Sequence, residues 1–68
     1  MNTNQNILIT NLAEAISWVT NAIWMDNERK SISGFSKEDV LEQIKRARNR
    51  IVSALAELEE FEQAIKNQ

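Results

Sequence analysis

Cysteine, histidine and proline are missing from the 68 residues, and glycine occurs once, at Gly34. Each absence removes a class of structure or chemistry. Without cysteine no disulfide braces the core, and thiolate ligation and thiol catalysis are excluded. Without histidine as well, zinc and other transition metals lose their customary ligands. The usual nucleophile–base pairs lose their base, and the serines and threonines have no recognisable activating partner. A single glycine cannot build a glycine-rich phosphate loop. The chain is therefore expected not to be an enzyme and to carry no metal or cofactor.

Length sets the next bound. A chain this short buries only about 60% of its unfolded surface, so a lone core is marginal. With disulfides and metals excluded, association with further copies is the expected source of extra burial. The formal charge of −2 argues against sequence-independent nucleic-acid binding, which needs a basic footprint. The opening Met1-Asn2-Thr3-Asn4-Gln5-Asn6 lacks the basic start and apolar core of a signal peptide. No apolar run approaches the ~20 residues that span a bilayer. A soluble, cytoplasmic protein without membrane contact is expected.

Apolar residues recur at helical spacing on both sides of Gly34. Before it stand Leu8, Leu12, Ala15, Ile16, Val19, Ala22 and Ile23; after it Val40, Leu41, Ile44, Ala47, Ile51, Leu55, Leu58 and Ile65. Steps of three and four align each set along one face of a helix. Strand alternation is lacking, so the fold class is all-α. The spacing predicts one domain over residues 1–68 with helix one at about 6–30, a turn at about 31–35 and helix two at about 36–66. Ser36 and Asp39 have the spacing of a capping box, and Phe35 and Val40 that of a hydrophobic staple. Glu38 and Asp39 suit the start of helix two, and Arg29 and Lys30 the end of helix one. The result is a two-helix antiparallel hairpin. Both apolar arcs are wider than one neighbour needs, which predicts a four-helix bundle or higher homo-oligomer.

Several residues interrupt this pattern. Arg48 falls on the apolar face of helix two and Glu62 on the same face nearer the end, with Leu55 midway. Antiparallel pairing of two copies about Leu55 would set Arg48 against Glu62 of the other chain, relieving the cost of an unpaired buried charge. Alternatively Arg48 snorkels from the edge of the stripe. Lys45, Arg46, Arg48 and Arg50 precede Glu57, Glu59, Glu60 and Glu62. That segregation suits antiparallel assembly, an anion held by arginine forks, or a solvated face. Glu42 and Arg46 are spaced for an ordinary ion pair within the helix. Trp18 flanks the stripe and is expected in the core or at a subunit interface. Trp24 points away from it, either folding against the turn near Phe35 or standing exposed to stack a base.

The segment from Thr10 to Ile23 carries the skeleton Thr10, Leu12, Glu14, Ala15, Trp18, Ala22 and Ile23. It resembles the signature helix of a phage family of helical-hairpin sponges. Such proteins sequester the cyclic nucleotide signals of bacterial defence systems such as CBASS and Thoeris. The resemblance implies an all-helical oligomer that binds cyclic dinucleotides, cyclic trinucleotides or cyclic ADP-ribose isomers between protomers, without degrading them. It implies Thr10 and Glu14 as polar groups near a subunit interface. Trp18, Ala22 and Ile23 mostly pack. In that family the signature helix follows a longer one, whereas here it comes first, so the family's preceding helix assigns no residues.

Local chemistry adds Asn11, Ser17, Trp24, Arg29, Lys30, Arg46 and Arg50 to Thr10 and Glu14 as ligand-binding candidates. Trp18, Arg48, Leu55 and Glu62 are the oligomer-interface candidates. The expected function is an anti-defence sponge, holding a cyclic nucleotide at an interprotomer groove in the host cytoplasm. The alternative is a small helical interaction protein that inhibits a protein partner by docking a charged helical face.

Overall fold

A computed structural model describes residues 3–31 and 34–68. Two helices, α1 (Thr3–Ser31) and α2 (Lys37–Lys66), account for all regular structure among them. They lie side by side in a rod with extents of 54 × 17 × 13 Å. The direction is antiparallel, because Asn11 near the start of α1 meets Glu57 near the end of α2, and Glu14 meets Arg50. The expected all-α hairpin is what forms. Its first helix begins earlier than the apolar pattern predicts, since Thr3 to Asn6 are polar but helix-compatible.

Local signals place the second helix start. Ser36 adopts extended backbone at φ −83° and ψ 163°, its hydroxyl accepts from the Asp39 amide, and the Asp39 carboxylate accepts from the Ser36 amide. Two amides that the helix start leaves unpaired are thereby satisfied. Arg29 and Lys30 close the last turn of α1, where cations suit the helix dipole. The Phe35 and Trp24 rings meet edge to face with 5.5 Å between centroids. Of the expected turn residues, Ile32 and Ser33 lie outside the described residues.

The seam between the helices is thin. Leu8, Ala15 and Ala22 of α1 and Val40, Ala47 and Ala54 of α2 form the buried apolar set, each separated from the next by seven positions. A seven-residue repeat of small side chains is the narrow stripe along which two helices run with close backbones. Between these layers the seam takes polar residues, with Asn11 the buried one.

Apart from Leu8 and Val40, the larger apolar residues are not in this seam. Leu12, Ile16, Val19 and Ile23 of α1, with Leu41, Ile44, Ile51, Leu55, Leu58 and Ile65 of α2, are exposed. On a helical wheel both groups fall on the same flank of their helix, next to the alanine stripe. The antiparallel arrangement then unites them as one apolar face along one side of the rod. The predicted apolar arcs are real, but the hairpin closes on only their small-residue edge.

Candidate functional site

The two sides of the rod differ in chemistry. On the polar side, side chains of α1 and α2 interlock across the seam. The Arg50 guanidinium bonds both neighbours on α1, with Nε 2.7 Å from Glu14 Oε2 and Nη1 donating to Asn11 Oδ1 at 3.2 Å. The Asn11 amide in turn donates to Glu57 Oε1. The other oxygen of Glu57 is buried with no partner among the described residues. A part-buried network of this kind fixes the helix register, because sliding one helix would strand several polar groups together.

Beside this network the Arg46 guanidinium sits over the Trp18 ring, 5.0 Å from its centroid. The indole face is electron-rich and attracts the cation. Arg46 Nε also donates to Glu42 at 3.3 Å, an exposed pair of small energetic weight. Trp18, Arg46, Asn49, Arg50 and Ser53 together line a recess of about 200 Å³. It gathers an aromatic ring, two guanidiniums, an amide and a hydroxyl.

The opposite side carries a larger, open groove of about 550 Å³ near the turn. Val19, Ile23, Leu41, Ile44 and Ile51 form its apolar lining, with Asp26, Arg29, Lys37 and Arg48 as the charged members. Asp26 bonds Lys30 Nζ at 2.9 Å and Arg29 Nη2 at 3.0 Å. These hydrogen bonds, the one from Lys30 foremost, hold its carboxyl below the usual carboxylate range. Arg29 Nε is buried and unpartnered, and neither Lys37 nor Arg48 forms an ion pair among the described residues.

The candidate ligand residues therefore divide. Asn11, Glu14, Arg46 and Arg50 converge on the polar side. Arg29 and Lys30 belong to the Asp26 cluster, about 18 Å farther along α1 at a rise of ~1.5 Å per residue. Thr10 and Ser17 are exposed on α1. Trp24 stands at the turn against Phe35, so Trp18 and not Trp24 is the indole beside the arginines. Of the interface candidates, Arg48, Leu55 and Glu62 are exposed and Trp18 is half-buried.

Asn49, Ser53 and Glu57 were not among the binding candidates read from the sequence. Their spacing from Arg46 and Arg50 at three and seven positions placed them on that face of α2, yet only α1 made the face a site. Among the described residues there is no metal-holding group of acidic side chains, and no helix is long and apolar enough to cross a membrane. Compared with protein-family models, with curated proteins and with solved structures, the chain gives no match.

Proposed function

We propose that this chain is a non-catalytic binding protein that assembles with itself and sequesters a cyclic nucleotide. The observation that carries the reading is the Arg46–Trp18 stack with Arg50 alongside. A base has a π-face for the guanidinium plane that covers Trp18, and guanidinium forks suit phosphate oxygens. The carboxylates now holding Arg46 and Arg50 are half-exposed, so exchanging them for phosphate carries a small penalty. The resemblance of the Thr10–Ile23 helix to phage sponges points to the same ligand class.

The recess is lined by residues of a single chain, so an interprotomer site requires a further protomer to approach the polar side of the rod, opposite the apolar face. The recess holds one hydroxyl, that of Ser53, with no carboxylate or other base among its lining residues, which supports capture over turnover.

A thermal-shift panel of cyclic dinucleotides, cyclic trinucleotides and cyclic ADP-ribose isomers tests this reading. Ligand at a hundred times Kd adds about 2.7 kcal/mol of stability, a large increment for so small a chain. A shift confined to one class, lost in Arg46→Ala and Arg50→Ala, supports sequestration. A flat panel on folded protein overturns it.

The exposed apolar face favours a second reading, in which a protein partner docks along it and is inhibited. That reading predicts a flat nucleotide panel and a chain that stays monomeric, with its apolar face free for a foreign helix.

A further inference from the structure

The outer edge of α2 presents Leu41, Arg48, Leu55 and Glu62 in a single column, seven residues apart and all exposed. Beside them run Ile44, Ile51, Leu58 and Ile65. We propose that this face is the dimer interface of the chain, with a second copy seated antiparallel and the two-fold axis passing at Leu55. Arg48 then meets Glu62 of the partner subunit at two symmetric positions, and Leu55 meets its own copy.

Charge selects this register. Centred on Arg48, the column would bring like charges together, and centred between Arg48 and Leu55 it would bury each charge against leucine. Moving the axis toward Glu62 repeats both faults. Only the axis at Leu55 pairs both charges while keeping leucine on leucine, and like-charge or unpaired contacts are what disfavour the others. The present partners do not compete strongly. Arg48 has no ion pair among the described residues, and Glu62 has a loose one to Lys66 at 3.9 Å.

The area agrees. A compact monomer of 7.8 kDa exposes about 4,400 Å², whereas this hairpin exposes 5231 Å². The excess is close to the ~800 Å² that each partner contributes to a stable interface. The pairings Asn11–Glu57 and Glu14–Arg50 together set residues 9 to 13 of α1 near the level of Leu55, so Ile9 and Leu12 flank the axis and join the buried surface. The partner's α2 end then fills the turn-proximal groove over Ile44.

This register rests on the self-association in the proposed function but not on its nucleotide. The test is therefore made without ligand, on the full chain. Because the protein has no cysteine, Leu55→Cys introduces one thiol, which crosslinks across the axis to a covalent dimer on mild oxidation. Leu41→Cys on the same column stays uncrosslinked, since the two copies of residue 41 lie about 42 Å apart along the antiparallel pair at ~1.5 Å per residue. Sedimentation should give a dimer for the parent chain. Arg48→Glu or Glu62→Arg should each weaken it at least about tenfold, and the double exchange should restore most of the loss. A parent chain that remains monomeric overturns self-association itself. A dimer that crosslinks in Leu41→Cys and not in Leu55→Cys, or that ignores the charge exchange, overturns this register alone.

Discussion

Asn11 and Glu57, 46 positions apart, bond side chain to side chain across the seam, with the Asn11 carbonyl oxygen accepting from Arg50 at the same time. One buried amide thus ties both charges of α2 to α1. A polar residue in a helix seam fixes alignment where small apolar residues would tolerate sliding.

Asn11→Ala should destabilise the hairpin by about 1–3 kcal/mol, because Glu57 and Arg50 both lose a partner in a part-buried setting. Replacing Asn11 and Glu57 together by leucine should recover much of that loss, at the expense of a defined register. Chemical denaturation across the double-mutant cycle measures the coupling, and strictly additive effects would mean that the bond contributes nothing.

The alanine seam should resist enlargement. Ala47→Leu or Ala15→Leu forces a larger side chain where the residues are almost wholly buried, at a cost of about 1–3 kcal/mol. Ala13→Leu, exposed on α1, should change stability little. Thermal midpoints compare the three directly, and equal behaviour would show that the helices do not meet along this stripe.

Acid should loosen the end of α1 late. The Asp26 carboxyl is held below its unfolded value by Lys30 and then Arg29. Its stabilising effect is therefore fully present above the unfolded carboxylate pKa and is lost as pH falls through the lower folded one. An NMR titration should find Asp26 titrating below an aspartate of the unfolded chain, and in Asp26→Asn the acid-side loss should shrink. An Asp26 carboxyl titrating at the unfolded value would contradict the clustering.

The two tryptophans should report differently. Trp18 lies beside Arg46 and Trp24 beside Phe35. Nucleotide binding should quench emission in Trp24→Phe but leave it unaltered in Trp18→Phe. The opposite pattern would move the ligand from the recess to the turn.

Capping is legible because it is local. The Ser36 cap, its exchange with Asp39 and the cations closing α1 each depend on spacings of a few residues, so the sequence marks the hairpin's helices without tertiary information. Ser36→Ala should accordingly lower stability by about 1 kcal/mol, read in the same denaturation assay. The site was less legible. Arg46 and Arg50 stood out as cations, but the choice of Trp18 over Trp24 depended on which flank of α1 met α2.

The sequence by itself determined the all-α class, the two helices and the reversal near Gly34, since periodicity, caps and the lack of proline are properties of neighbouring residues. Only the tertiary structure decided which edge of each wide apolar arc turns inward. Periodicity locates an arc but cannot choose within it, because the choice compares contacts between segments far apart in the chain. Here Ala15, Ala22, Ala47 and Ala54 admit close backbones and the Asn11–Glu57 and Glu14–Arg50 pairs lock them. Among the described residues, the isoleucines and all leucines but Leu8 are thereby left outside, largely on the face where another surface can cover them.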